Sequence, residues 1–339
     1  MNQDNKEIAD IMRSELQKHQ TDHLVRIDSE RKLEVKLNVG RQRIREVINQ
    51  LVSEGLLVKY EGKGTYIIPV VKNKYVNLIC SPSIKMNDPF YNRLLMELTI
   101  YSAKHSVNII PINMDKLANG DMSCPVLMIG RFEKTELEDI KAIYPKIISF
   151  EYYPDHDDFV QIYFDHFKIG MNAAKVLASY GHQKVLHIAG PGKYASAYYR
   201  RTGFIRGARK CNMKSFIMES KMNFRGGFDL AEKVKFYVQQ EGFTAVFAAN
   251  DWMAIGLIQG LKALGLEVPE QVSVLSVDNI PLADQIAPGL TTYSLDANMM
   301  IAECFALMDF AEFTYAEKAY QKNIILKPAL ITRETLKQV

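Results

Sequence analysis

The stretch that decides the fold of the amino-terminal part is residues 27–67, IDSERKLEVKLNVGRQRIREVINQLVSEGLLVKYEGKGTYI. Asp28 and Ser29 are helix-capping residue types, and they stand before a short helical segment, residues 30–37. Asn38-Val39-Gly40 predicts a tight turn in which the glycine adopts a positive φ. A second helix follows over residues 41–54, because apolar side chains recur there at 3.6-residue spacing.

Segments on both sides extend this pattern. Ile8, Ile11 and Leu16 predict one apolar stripe on an earlier helix over residues 5–19. Downstream, LLVKY and TYIIP predict two short strands joined by a glycine-containing turn. The order helix, helix, turn, helix, hairpin is that of a winged helix-turn-helix.

The charge of this region favours DNA as a partner. Residues 26–45 carry seven basic side chains against three acidic ones. Arg41 and Arg45 stand one turn apart on the side away from the apolar stripe, and guanidinium groups form paired hydrogen bonds to guanine edges or phosphates. A solvated basic face on an ordinary helix is the alternative. The turn, the hairpin and Arg31 together favour DNA binding.

Residues 5–70 resemble the GntR-type winged helix in the SER opening, the arginine after the turn, the EGLL helix end and the GKGTY wing. Asp28 replaces the usual proline, and Gly40 replaces a common serine or threonine, which removes a phosphate contact. The resemblance implies DNA contacts by Arg31, Arg41, Gln42, Arg43 and Arg45, with Gly62 at the wing tip.

After residue 74 the pattern is α/β. Amphipathic stretches separate most of nine strand-like runs: YVNLIC, VNIIPI, PVLMIG, KIISF, VQIYF, KVLHIAG, SFIME, AVFAAN and VSVLSV. Such alternation predicts parallel sheets with covered faces, and the length predicts two lobes. The expected domains are a winged helix-turn-helix over residues 1–70, a linker over 71–74 and a two-lobed domain over 75–339.

Residues 75–339 resemble the LacI/GalR sensor domain, itself similar to periplasmic sugar-binding proteins. The elements YGHQKVLHIAGP, SAYYRRTGF, FAANDWMAIG, PEQVSVLSVDN and ALITRETL carry the resemblance. A GntR-type head on this sensor is the arrangement of the bacterial arabinose-responsive repressors, which implies a homodimeric repressor of operator DNA that responds to a small sugar.

The resemblance also implies a pocket between the lobes. Its expected effector-binding residues are Phe90, Glu151, Ser196, Arg200, Asn250 and Asp278. Carboxylates, amides and a guanidinium satisfy sugar hydroxyls, and an aromatic face covers the C–H side. Four of these residues also have a structural interpretation: helix capping for Asn250 and Asp278, core packing for Phe90, and a surface charge for Arg200.

Other functions receive less support. Gly190-Pro191-Gly192 follows a strand as in dinucleotide-binding enzymes, but the proline and the lack of a well-placed acid weaken that interpretation. A nucleotide-dependent enzyme, a sugar-binding transport component, and the same regulator responding to a phosphorylated sugar or a purine remain alternatives. We expect no enzymatic activity, no cofactor and no metal site.

Composition limits the class of protein. The net charge is +3, and 47% of the 339 residues are apolar, which is enough for a folded core. Four scattered cysteines predict no disulfide framework. No long apolar run and no export signal is evident, so a cytoplasmic location with no membrane association is expected.

Overall fold

The structure is a computed structural model that describes residues 3–18, 25–60, 63–67, 74–308 and 323–339. The chain divides into two compact units, Met1–Asn73 and Lys74–Val339. Most of the expected linker lies outside the described residues, and its last residue, Lys74, already begins a strand. None of the described helices is long and apolar enough to cross a membrane.

The first unit is a small three-helix domain with a three-stranded sheet. Its elements are α1 (Gln3–Lys18), β1 (Val25–Arg26), α2 (Glu30–Leu37), α3 (Arg41–Ser53), β2 (Leu57–Tyr60) and β3 (Gly64–Ile67). The sheet order is β1-β3-β2, and both pairings are antiparallel. The strand β1 was not predicted, because two residues are too few to show an alternating pattern.

The core of this unit is built around α3. Ile44, Val47, Ile48 and Leu51 are all buried, as their spacing predicted. The stripe predicted for α1 is partly wrong, because Ile11 is 47% exposed. Among the side chains of α1 that the structure describes, Ile8, Ala9, Met12 and Leu16 are buried, and three of them follow strict four-residue steps.

The turn between α2 and α3 also differs from the prediction. Ser29 caps α2 as expected, since its hydroxyl accepts a hydrogen bond from the Lys32 backbone N–H at 3.4 Å. The positive φ lies at Asn38, at 51°, whereas Gly40 has φ −58°. Asparagine tolerates the left-handed conformation better than most residues, so the turn does not need the glycine.

The second unit contains two sheets flanked by helices. Its strands are β4 (Lys74–Cys80), β5 (Val107–Ile112), β6 (Val126–Ile129), β7 (Ile147–Ser149), β8 (Val160–Phe164), β9 (Lys184–Ala189), β10 (Lys214–Glu219), β11 (Ala245–Ala248), β12 (Ser273–Asp278), β13 (Thr291–Ser294), β14 (Ile324–Leu326) and β15 (Ala329–Ile331). Its helices are α4 (Pro89–Lys104), α5 (Lys134–Ile143), α6 (His166–Ser179), α7 (Ala195–Lys210), α8 (Phe224–Phe228), α9 (Ala231–Glu241), α10 (Asp251–Ala263) and α11 (Ala297–Leu307).

The two sheets form two lobes. The first has the order β14-β8-β7-β6-β4-β5, and the second has the order β10-β9-β11-β12-β13-β15. All nine predicted runs contain a strand, and the expectation of parallel pairing is correct except at β15, which pairs antiparallel with β13. Among the described strands, the chain changes sheet after β8, after β13 and after β14, so several connections join the lobes.

Close backbone packing between α6 and α7 positions one side of the second lobe. A Cβ atom at Gly203 would overlap the carbonyl oxygen of Phe167, and one at Gly170 would overlap the carbonyl oxygen of Arg200. Only glycine allows two helix backbones to approach so closely. The position of Arg200 therefore depends on this helix contact.

Candidate functional site

The outer face of α3 carries the polar residues predicted to contact DNA. Arg41, Gln42, Arg43 and Arg45 are all exposed, whereas the apolar residues of the same helix face the core. Arg31 is exposed on α2. Gly62, predicted at the tip of the wing, lies outside the described residues.

Glu30 holds two of these arginines. Arg45 donates to the Glu30 carboxylate from Nη2 at 2.9 Å and from Nε at 3.2 Å. Arg41 donates to the same carboxylate from Nε at 3.3 Å. The hydrogen bond from Arg45 is the main reason why the pKa of Glu30 lies below its ordinary value. This carboxylate therefore restricts the orientation of both guanidinium groups, a role that sequence patterning did not assign to it.

Arg26, in β1, lies close to Gly64, the first residue of β3. Gly64 begins β3 with φ 111°, and a Cβ there would stand 2.6 Å from Nε of Arg26. Glycine is favoured at this position for its backbone conformation, and its missing side chain also leaves room for the guanidinium.

The second unit has a cavity of about 410 Å³. It lies between the two lobes, because its lining comes from the ends of strands and the starts of helices in both. All six residues expected to bind the effector line it: Phe90, Glu151, Ser196, Arg200, Asn250 and Asp278. Residues distant in sequence, from 90 to 278, thus meet around one space.

Arg200 is the most unusual group in the cavity. Its side chain is only 3% exposed, and its Nε is a buried donor for which the described residues supply no hydrogen-bond acceptor. Nη1 lies 3.4 Å from Nδ1 of His166. Burial lowers the pKa of His166 well below its ordinary value, so this ring is neutral and can accept. A buried guanidinium with an unused donor is costly unless a ligand supplies the acceptor.

Two carboxylates face this guanidinium across the cavity. Glu151 follows β7 and accepts a hydrogen bond from the Tyr91 hydroxyl at 3.0 Å. Burial raises the pKa of Glu151. Burial also raises the pKa of Asp278 well above its ordinary value, and the neighbouring Asp251 carboxylate adds to that rise. The cavity therefore combines donors with acceptors, as a ligand rich in hydroxyl groups requires.

The other three predicted residues line the cavity and also belong to the helices around it. Asn250 caps α10, because its Oδ1 accepts from the Met253 backbone N–H at 3.0 Å. Phe90, the second residue of α4, is half-buried and packs against the hydrophobic clusters of both lobes. Ser196 lies in the first turn of α7, one turn before Arg200.

Several lining residues were missed by the sequence reasoning. Tyr91, His166 and Trp252 line the same cavity, and Trp252 is the single tryptophan of the chain. Tyr91 could have been found as the neighbour of Phe90 in the PFY stretch. His166 had no motif to identify it, because only the helix contact of α6 with α7 brings it beside Arg200.

Arg201 and the acidic run 155–158 behave as surface features. Arg201 is 43% exposed and lies 3.5 Å from the Glu219 carboxylate. Asp158 pairs with Lys141.

Within the part of the chain that the structure describes, no group of three or more His, Cys, Asp or Glu side chains could hold a metal ion.

Comparison with known protein families matches the two units separately. Residues 5–67 match the bacterial regulatory proteins of the gntR family. Residues 174–336 match the periplasmic binding protein-like domain. Both domain types predicted from the sequence motifs are thus confirmed.

Curated relatives are regulators by name. The chain is 30% identical over 211 residues to the HTH-type transcriptional repressor PurR of Vibrio vulnificus, covering 61% of each protein. It is 24% identical over 220 residues to the repressor CytR of Escherichia coli K12, covering 60% of this chain and 64% of CytR. Catabolite control protein A of Streptococcus mutans is 24% identical over 314 residues, covering 88% and 89%. The chain thus spans less than two thirds of the length of the Vibrio vulnificus PurR and of the Escherichia coli CytR.

Solved structures share the fold of the second unit. A LacI family transcriptional regulator from Enterococcus faecium, crystallised with bound ribose, has a TM-score of 0.67 at 20% identity. It is matched over its whole length and over 78% of this chain. The Escherichia coli transcriptional repressor ascG has a TM-score of 0.63 at 21% identity, with the same coverage. At such identities the likeness shows the fold alone.

Proposed function

We propose that this chain, which joins a gntR-family DNA-binding domain to a periplasmic binding protein-like domain, is a ligand-controlled transcriptional regulator. It binds operator DNA through the first unit and a small sugar in the cavity of the second, and it represses genes for carbohydrate use. The single observation that carries the sensor role is the cavity, where Arg200 is buried opposite two carboxylates and its Nε finds no acceptor among the residues that the structure describes.

The proposed contact surface for DNA is the exposed side of α3 with its neighbours. Arg41, Gln42, Arg43 and Arg45 would enter the major groove or meet its phosphates, while Arg31 and Gly62 would contact the flanking backbone and minor groove. Glu30 would hold Arg41 and Arg45 in orientations suited to base edges. Because Glu30 already restricts the rotamers of these two arginines, DNA binding would cost less side-chain entropy.

Replacing Arg45 with alanine is expected to weaken specific operator binding by ~1–3 kcal/mol, because one paired contact to a base edge is lost. Effector binding should be unchanged. Fluorescence anisotropy with specific and scrambled duplexes measures both affinities. Arg225→Ala is a matched control, because it removes one exposed arginine from the second unit. Equal operator affinity for Arg45→Ala and the parent would contradict the recognition-helix assignment.

A neutral sugar suits the cavity better than a phosphorylated one. Glu151 and Asp278 both line the space, and an ionised phosphate has no donor for their oxygens, although Lys85, Lys193 and Lys221 line the cavity too. Hydroxyl groups can donate to the carboxylates and accept from Arg200 at the same time. Phe90 and Trp252 supply apolar surface for the C–H side of a sugar ring.

Effector affinity is expected to rise with pH. The pKa of Asp278 is raised in the free protein by burial, Asp251 and Asp88, while Arg200 and Arg93 oppose the rise. Sugar hydroxyls donate to the carboxylate, so binding lowers this pKa and releases a proton. Titration calorimetry from about pH 5.5 to about pH 8.5, in buffers of different ionisation enthalpy, measures this release.

The same titration has an internal control. Asp278→Asn removes the titrating group, so the residual affinity of this variant should vary less with pH than that of the parent. Proton uptake on binding, or an affinity that falls as pH rises, would contradict the direction derived from the raised pKa.

We propose a second copy of this chain as the partner of the exposed apolar residues on the second unit. Met96 and Ile100 on α4 are 63% and 61% exposed, and Phe236 on α9 is 55% exposed. One copy supplies one recognition helix, and helix-turn-helix dimers place two of them on half-sites about one helical turn apart or a multiple of it. The operator is then expected to be near-palindromic.

A ligand screen tests the sensor role. Sugars, sugar phosphates and nucleobases are added to the purified chain, and thermal unfolding is followed together with the emission of Trp252. A ligand at 100 times its Kd adds about 2.7 kcal/mol of stability, which shifts the transition measurably. A panel without any response would contradict the assignment of the cavity as a sugar site.

A further inference from the structure

A second cavity of about 580 Å³ lies beside the first. Its walls come from the loop after β6 with the start of α5, from the loop after β7, and from the loop between β9 and α7 with the first two turns of α7. Glu151, Lys193 and Tyr194 line both cavities, so the two spaces adjoin. We call the first the inner chamber and the second the outer chamber.

Five tyrosines line the outer chamber, beside the charged groups of Arg131 and Glu151. The lining tyrosines are Tyr152, Tyr153, Tyr194, Tyr198 and Tyr199. Tyrosine combines a broad apolar face with a hydroxyl at its edge, which suits a ring that carries polar substituents. The inner chamber, by contrast, holds the Arg200 guanidinium with the carboxylates of Glu151 and Asp278.

A chain of ring contacts connects the chambers. Tyr163, which lines the inner chamber, stacks on Tyr152 with centroids 4.4 Å apart. Tyr152 lies 5.5 Å from Tyr199, which in turn makes an edge contact with Tyr198 at 5.3 Å. The aromatic surface thus continues from the polar inner chamber to the half-exposed Tyr198 at the far side.

The outer chamber also offers unused hydrogen-bonding capacity. Arg131 lines it, and its Nε is buried without a hydrogen-bond partner among the described residues. Its Nη2 lies 3.6 Å from the Glu133 carboxylate, which leaves that ion pair weak. Lys193 approaches the Tyr194 ring at 5.3 Å. These donors could meet hydroxyl or carbonyl oxygens of a ligand that extends beyond the inner chamber.

We propose that the outer chamber is a subsite for a second ring of the effector, so that the effector is a glycoside. One sugar unit occupies the inner chamber, and a second ring joined through the anomeric carbon stacks on the tyrosines. The proposal rests on the sensor role proposed above and narrows its ligand class. Disaccharides, aryl glycosides and nucleosides share this chemistry, and the experiment separates them.

The experiment compares the affinities of the full chain for matched compounds, measured by Trp252 emission and titration calorimetry. The pairs are D-glucose with cellobiose, maltose and 4-nitrophenyl β-D-glucoside, D-ribose with adenosine and cytidine, and L-arabinose with its 4-nitrophenyl glycoside. At least one glycoside is expected to bind about three- to tenfold more tightly than its parent sugar, because ring stacking adds affinity.

Gly192→Phe tests the location of the second ring. Gly192 lines the outer chamber only, and a Cβ there meets nothing within 4 Å, so the backbone accepts a side chain at this position and we expect a phenyl ring to take up space in the chamber. It should lower glycoside affinity and leave monosaccharide affinity unchanged. Gly192→Ala is the matched control and should bind like the parent.

Tyr198→Ala provides an independent test, because Tyr198 is 51% exposed and lines only the outer chamber. It should weaken glycoside binding, whereas Tyr75→Ala, at an exposed tyrosine of β4 outside both chambers, should not. The subsite would be overturned if a monosaccharide and its glycosides bound equally well and neither Gly192→Phe nor Tyr198→Ala changed their affinities. That result would leave the sensor role intact. Binding of neither kind of compound would overturn both.

Discussion

Arg200→Leu is expected to lower effector affinity by at least about 2 kcal/mol, roughly thirtyfold in Kd. The Arg200 guanidinium is buried, and its Nε has no acceptor among the described residues. A bound sugar would supply that acceptor, so the variant loses hydrogen bonds to the ligand. Trp252, in the wall of the same cavity, reports occupancy by its emission during a titration.

The fold should survive this substitution. Arg200 has a pKa lowered by burial, which means that the folded protein disfavours its charge. Without the guanidinium, Glu151 and Asp278 lose a cationic neighbour that lowers their pKa values, so we expect these buried carboxyls to be protonated and neutral in the folded variant. Arg201→Leu is the matched control, because it removes the adjacent, exposed arginine. Full effector affinity in Arg200→Leu, or equal losses in both variants, would contradict the role given to Arg200.

Gly203→Ala is expected to destabilise the second unit by about 3 kcal/mol, because overpacking against backbone cannot be relieved by a rotamer change. The new Cβ would overlap the carbonyl oxygen of Phe167, so α6 and α7 must separate. Thermal unfolding should move down by roughly 6–12 °C for a unit of this size. Since α7 also carries Arg200, effector affinity should fall as well.

Gly192→Ala is the control for this experiment too, since its Cβ would stand in open space. It should unfold at the parent temperature. A Gly203→Ala variant as stable as the parent would show that the close approach of α6 and α7 does not exist as described. Because the DNA-binding unit is a separate compact unit, operator binding below the unfolding temperature tests whether the damage is confined to the second unit.

The spacing of apolar residues predicted the helices and strands well where an element buries one face or both faces. The four apolar positions of α3 recur at helical spacing, and the structure buries all of them. The nine apolar runs of the second unit are strands because sheets covered on both faces require continuous apolar segments. Periodicity failed at Ile11. A step of three residues from Ile8 to Ile11 and a step of four residues to Met12 both fit an apolar stripe, and the structure buries Met12.

The candidate sites were only partly predictable, because their contacts join residues far apart in sequence. The pairing of Glu30 with Arg41 and Arg45 depends on how α2 packs beside α3. In the cavity, the unused Nε of Arg200 depends on helix packing that no linear motif encodes. Resemblance to known families located the six lining residues; it did not identify Tyr91, His166 or the outer chamber.

The most direct test of the central claim is an anisotropy titration of the full chain on duplex DNA, with and without a saturating ligand. The duplex is first selected from a randomised pool, and the ligand is one shown to occupy the cavity through Trp252. Coupling between the two units predicts a change in operator affinity of ~1–3 kcal/mol, because the ligand binds two states of the protein with different affinities. An unchanged operator Kd with the cavity fully occupied would contradict the account.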